Sequence, residues 1–310
     1  MLGILDVGSN TVHLLVLDPA PHARPAPLAQ ERRIVPLMLH LDQSGGITAE
    51  GMGMLTAAVT DCVNLAREWG VTELVGMATS ALHEIPHGRD AVRHVEDLAG
   101  IPLRVLTGAE EAEFTFIAAR RWAGWGAGRL LVCDIGGGSL QLAQGASELP
   151  AQAFSLPLGA GLLTHQFLPS DPGGREECET LVQHVRATLA HVISPLTSSA
   201  PDRVLGTSKM LRSLGRLAGF RRTHTMEGRI LRRDHLEDWT ERLGRMPLDA
   251  RLQLPGMTPE RARQVFAGAV VASETMRALN IDELETCPWA LREGVLLQFI
   301  DPRNNFDSSE

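Results

Sequence analysis

Three features of the sequence predict an α/β fold built from two domains around a shared cleft. Strand and helix signals alternate along the whole chain, the pattern of sheets covered by helices. At 310 residues, 44% of them hydrophobic, the chain is long enough to bury two cores. One short pattern also opens each half. "LGILDVGSNTVHLLVLD" (2–18) and "LLVCDIGGGSLQLAQG" (130–145) both run an apolar strand into an Asp, a Gly turn, a hydroxyl residue and a second apolar strand.

In the first half, apolar runs predict strands at 2–6, 11–17, 73–78 and 102–106, with helices at 49–69, 88–99 and 109–121 between and after them. "PAPHARPAPLAQ" (19–30) is Pro/Ala-rich and reads as a loose hairpin connection. "RRWAGWGAGR" (120–129) ends a helix with Gly and aromatic residues, so a domain of residues 1–122 is expected, followed by one of 123–302 and a tail at 303–310. In the second half, strands are expected at 129–134, 139–144, 152–156, 202–206 and 281–285. Helices are expected at 159–168, 174–193, 208–218, 233–244, 258–279 and 289–299.

Composition excludes several classes. A net charge of −8 argues against a broad nucleic-acid surface. The longest apolar runs fall far short of the ~20 residues of a membrane span. The N-terminus lacks a basic segment before its apolar stretch, so no signal peptide is read there. Cys62, Cys133, Cys178 and Cys287 are scattered, as expected of reduced thiols in the cytoplasm. No G-x-x-x-x-G-K-[ST] is present, and "DVGSNT" does not supply the G-x-G-x-x-G of a dinucleotide fold.

The repeated turn has a chemical reading. An Asp at a strand end followed by a Gly turn aims backbone N–H groups and a carboxylate at one spot, and Gly lets a phosphate approach the backbone. Two such turns facing each other would grip one phosphate chain, with Asp6 and Asp134 as ligands for Mg²⁺ (or Mn²⁺). The bland alternative is a pair of ordinary β-hairpins. Lys209 is the single lysine among 29 basic residues, a compact ammonium kept where Arg is otherwise used. "HEIPH" (83–87) matches the zinc-protease pattern H-E-x-x-H, but Pro86 disfavours the helix that pattern requires. The arginines at 221, 222, 229, 232 and 233 read as a solvated face, or as a track for the far end of a long polyanion.

In order along the chain, "LDVGSNTVHLLV" (5–16), "ATSAL" (78–82), "LTGAEEAEFTFIA" (106–118), "DIGGGSLQL" (134–142), "LPLGAG" (156–161), "GTSKMLRSL" (206–214) and "ALREG" (290–294) resemble the exopolyphosphatase / guanosine pentaphosphate phosphatase family. That family belongs to the actin, sugar-kinase and heat-shock chaperone ATPase superfamily. The resemblance implies two ribonuclease-H-like domains with an interdomain cleft. It also implies Mg²⁺-dependent release of terminal phosphate from polyphosphate or a guanosine polyphosphate, with a homodimer as the assembly it admits. It casts Glu111 as the carboxylate that activates water, with Asp134 beside it. Gly8, Ser9, Asn10 and Thr11 form one phosphate loop; Gly136, Gly137, Gly138, Ser139 and Gln141 form its counterpart, and Thr207, Ser208 and Lys209 a third contact. Arg292 is implied to brace the cleft. Three positions depart from the family pattern: His83 and Pro36 stand where Arg is usual, and Gln141 where Glu is usual. Gln141 and His83 raise one rival, a polyphosphate or guanosine polyphosphate sensor with little turnover; a small-molecule kinase on the same fold is a second, disfavoured by Glu111 and the ordered motif set.

Overall fold

The computed structural model describes residues 1–18, 27–80, 82, 85–86, 88–221 and 228–300. The connection at 19–26, His83, Glu84, His87, Arg222 and the tail at 303–310 lie outside the described residues.

The first sheet contains β1 (Leu2–Val7), β2 (Thr11–Leu17), β3 (Ala29–Ile34), β4 (Glu73–Ala78) and β5 (Leu103–Val105), in the order β3-β2-β1-β4-β5. The β1/β2 and β2/β3 pairs are antiparallel; β1/β4 and β4/β5 are parallel. Helices α1 (Ala49–Glu68) and α2 (Gly88–Ala99) connect the parallel strands. Thr48 caps α1 by accepting from the Gly51 N–H, and Leu55, Val59, Cys62, Val63 and Ala66 form its buried stripe.

The second sheet repeats the plan. β6 (Leu130–Ile135), β7 (Leu140–Gly145), β8 (Gln152–Leu156), β9 (Arg203–Gly206) and β12 (Glu283–Thr286) stand in the order β8-β7-β6-β9-β12, with the same parallel and antiparallel senses. β11 (Ile230–Arg232) and β10 (Gly219–Phe220) extend it beyond β12. The ribonuclease-H-like order is therefore present twice, which is why the chain writes its hairpin motif twice. The remaining helices are α3 (Gly108–Ala123), α4 (Ala160–Phe167), α5 (Arg175–Thr197), α6 (Lys209–Leu217), α7 (Arg233–Arg245), α8 (Leu248–Leu252), α9 (Pro259–Ala278) and α10 (Leu291–Ile300). α9 is buried almost all round. Its internal Glu274 is matched by Arg186, whose Nε and Nη2 donate at 2.7 and 3.0 Å.

β3, β10, β11 and α8 were not expected from the sequence. β3 reads AQERRI and is mostly exposed; it carries no apolar alternation, and its strand form comes from pairing with β2. The compact units are Met1–Gly108 with Arg292–Glu310, and Ala109–Leu291. The expected boundary after residue 122 falls in the last turn of α3, whereas α3 packs with the second unit. Ala112, Phe116 and Ala119 meet Leu130, Val132, Ala143 and Leu205 in one cluster. Arg120, buried and lying over the Phe116 ring, donates to the carbonyls of Gly128 and Gly145, each at 2.8 Å. These contacts fix the helix that carries Glu111.

Candidate functional site

In the second unit, β6 delivers Asp134 one residue before its end, and β7 returns with Gln141 directly opposite. Between them the Gly136 N–H donates to the Ser139 carbonyl at 2.8 Å and closes the turn. The N-terminus of α4 braces this loop from outside: Ala160 N–H donates to the Gly136 carbonyl at 3.0 Å and Leu162 N–H to the Gly137 carbonyl at 2.9 Å. Two orphan N–H groups of a helix start are thereby satisfied. A trans peptide points its N–H opposite to its carbonyl, so the N–H groups of Gly137 and Gly138 are turned away from α4.

Glu111 stands in the first turn of α3, where a helix N-terminus favours a negative charge, and is only 4% exposed. Its Oε2 accepts from the Gln141 amide nitrogen at 2.9 Å. The same nitrogen donates to the Ser139 Oγ at 2.6 Å. Residues 139 and 141 therefore share a face, as strand alternation requires, and the expected base and the expected phosphate loop are joined through one side chain. Thr207, just past β9, donates its hydroxyl to Asp134 Oδ2 and its N–H to the Cys133 carbonyl at 3.0 Å. Ser208 accepts from the Leu211 N–H at 3.1 Å and so serves as the N-cap of α6. Lys209 is the first residue of that helix, where a cation opposes the helix dipole by about 0.3–1 kcal/mol; a bound anion would offset that cost. Cys133, buried behind Asp134, has its thiol pushed up to about 12 by desolvation and stays an inert packing group.

The first unit holds the sister turn. Asp6 lies opposite His13 as Asp134 lies opposite Gln141, and the Gly8 N–H donates to the Thr11 carbonyl at 2.9 Å. Here the brace is a strand exit: Leu37 and Val35 donate to the carbonyls of Ser9 and Asn10 at 2.9 and 3.0 Å. Pro36 sits between these two donors in the segment that holds the loop. Arg292, opening α10, places its Nε 3.9 Å from Asp6 Oδ2 and supplies a cation beside that carboxylate. The two turns also differ in what stands beside the Asp. Asp6 lies level with Met77 on β4, whereas Asp134 lies one step past the Cys133–Gly206 pair and so meets Thr207. Sequence reasoning missed two features: the bracing of the glycine loop by the start of α4, and the Glu111–Gln141–Ser139 connection. "LPLGAG" was the only local signal for the first, and no spacing signals the second.

A duplicated ribonuclease-H-like fold with an Asp–x–Gly turn in each copy defines a two-domain α/β protein. The model of the Ppx/GppA phosphatase family matches residues 15–302, and the chain belongs to that family. Exopolyphosphatase 1 of Mycobacterium tuberculosis is 42% identical over 305 residues, covering 97% of this chain and 88% of that protein. Exopolyphosphatase 2 of the same organism is 28% identical, covering 94% and 96%. Among solved structures, an exopolyphosphatase from Cytophaga hutchinsonii superposes with a TM-score of 0.84 at 22% identity, covering 97% of each chain. The Aquifex aeolicus family member gives 0.77 at 21%, covering 98% of each. These likenesses establish the fold. Among the described residues, no helix is long and apolar enough to cross a membrane.

Proposed function

We propose that the protein hydrolyses phosphoanhydrides, releasing terminal phosphate from inorganic polyphosphate, with guanosine pentaphosphate as the related nucleotide substrate. The observation that carries this reading is the buried Glu111 carboxylate tied through Gln141 to Ser139 of the glycine loop. Polyphosphate is preferred because the relatives at 42% and 28% identity are named exopolyphosphatases. The loop N–H groups of Gly137 and Gly138 and the Ser139 hydroxyl receive the terminal phosphate. Glu111 accepts the proton of the attacking water as its oxygen bonds to phosphorus; the anhydride P–O bond breaks, and the shortened chain leaves with the bridging oxygen. Positioning and charge stabilisation supply most of the rate in such a reaction.

No group of three His, Cys, Asp or Glu side chains forms a metal cage among the described residues. Mg²⁺ rarely needs one, since it takes one or two carboxylates and completes its shell with water and substrate phosphate. Asp134, its carboxylate beside the Thr207 hydroxyl, is a hard-oxygen donor that fits this, and Asp6 is its counterpart in the first unit. When bound, Mg²⁺ (or Mn²⁺) would neutralise charge on the phosphates. The free thiols agree with the cytoplasm as the working compartment.

The test is orthophosphate release from polyphosphate with Mg²⁺, run beside equilibrium binding of the same polymer. Steady release that stops on chelation is expected. Binding without release would replace this reading with the sensor, the alternative favoured by Gln141 standing where the family usually has Glu.

Lys209→Ala is expected to weaken polyphosphate binding about tenfold at low salt, the scale of one hydrogen bond to a charged group, and less at high salt. Lys209→Arg should restore only part of it. An Arg variant equal to wild type would remove any special role for the ammonium.

A further inference from the structure

The Gln141 side chain is 5% exposed, and both of its polar contacts run through one amide nitrogen. An ionised Glu111 can only accept, so the amide must face it with N–H. One N–H then goes to Glu111 Oε2 at 2.9 Å and the other to Ser139 Oγ at 2.6 Å. A serine hydroxyl that accepts here keeps its single proton for a different partner. We infer that Gln141 is a positioning residue that sets the hydrogen-bond polarity of the site, fixing the Glu111 carboxylate on one side and making Ser139 an obligate donor to phosphate on the other.

This inference rests on the proposed hydrolase reading and gives Gln141 a part in it. The amide at 141 is then no weakened copy of a glutamate. A carboxylate at the same place would reverse the wiring. It would accept the Ser139 proton, taking a donor from the phosphate, and would set a second negative charge against Glu111 and the polyanion. Backbone pairing places position 141 opposite Asp134, so the added charge would also crowd that carboxylate.

Four variants of the full chain decide it: Gln141→Met, which keeps the volume and removes both donors; Gln141→Glu, which keeps the shape and reverses the polarity; Ser139→Ala; and Ser139→Ala combined with Gln141→Met. Phosphate release from polyphosphate with Mg²⁺ gives kcat and KM, equilibrium binding gives Kd, and thermal melting reports folding. Gln141→Met is expected to lower kcat about 10- to 100-fold with KM changed by less than about threefold, since Glu111 loses a charge-assisted hydrogen bond while Ser139 can still donate. Gln141→Glu is expected to lower kcat similarly and also to raise KM and Kd about tenfold or more. Ser139→Ala should cost less in the Met background than in wild type, because residues in one network are not additive. A purely structural role would instead move kcat and KM in step with Tm in both variants.

Wild-type kcat in Gln141→Met, or unchanged KM with equal or faster turnover in Gln141→Glu, overturns the inference. If wild type binds polyphosphate and releases nothing, the hydrolase reading falls by itself. The polarity claim is then decided by Kd, which must rise in the Glu variant and not in the Met variant.

Discussion

Glu111→Gln is expected to lower phosphate release by about 10²–10⁴-fold, the range attached to loss of a general base, with polyphosphate binding within about threefold of wild type. The substitution keeps the shape of a buried side chain in the first turn of α3. The new amide carbonyl can still accept from the Gln141 nitrogen, so the contact now measured at 2.9 Å has a neutral replacement. Arg120 holds the same helix on the sheet through two carbonyls and lies a turn or more away from the change. What disappears is the capacity to take a proton. The check is the initial rate at saturating polyphosphate with Mg²⁺, beside binding under the same conditions. Turnover at the wild-type rate would strip Glu111 of its role and leave positioning by the loops as the whole of the chemistry. A loss of binding equal to the loss of rate would assign Glu111 to holding the site rather than to the reaction.

The features legible in the sequence were local ones. The Asp–Gly–hydroxyl turns at 6–11 and 134–139 are written in a few consecutive residues, and each folds as a hairpin with the same closing hydrogen bond. Long helices such as α1 and α9 showed themselves through length and caps; Thr48 and Thr258 each accept from an N–H three residues on. Elements that exist only because a neighbour pairs with them were not legible. β3 is a polar edge strand, and β10 and β11 are two and three residues long. The membership of α3 in the second unit depends on where Phe116 and Arg120 find partners, which no periodicity states. The site divides in the same way. Residues of the loops were readable one by one, but Glu111 and Gln141 are 30 positions apart and meet only through packing. Ser208 shows a third kind of gap: a hydroxyl in a matched motif whose oxygen caps a helix.

Gly159→Ala is expected to damage both stability and activity, and it tests the brace that the sequence did not reveal. Gly159 immediately precedes α4 and lies against the glycine loop. A Cβ there would stand 2.2 Å from the Gly138 carbonyl carbon and 2.4 Å from both the carbonyl carbon and oxygen of Gly137. All three atoms are backbone, so no rotamer change relieves the contact, and either the loop or the helix start must move. Overpacking of this kind costs about 1–3 kcal/mol, and with no flexible side chain to yield the upper end is expected, about 3 kcal/mol. For a unit of this size that corresponds to a fall in Tm of about 6–12 °C. The same displacement would pull the Gly136 and Gly137 carbonyls off Ala160 and Leu162, which set the direction of the loop N–H groups. A shift of about 1 Å in a positioning element can cost about 10²-fold in rate, so phosphate release should fall by about that factor below the melting point. Gly53→Ala is the control. It lies on the exposed face of α1 with nothing within 4 Å of an added Cβ, and there Ala should leave activity unchanged and stabilise by up to about 1 kcal/mol. A Gly159→Ala protein with wild-type Tm and rate would mean that the loop tolerates displacement, and the brace from α4 would lose its part in phosphate binding.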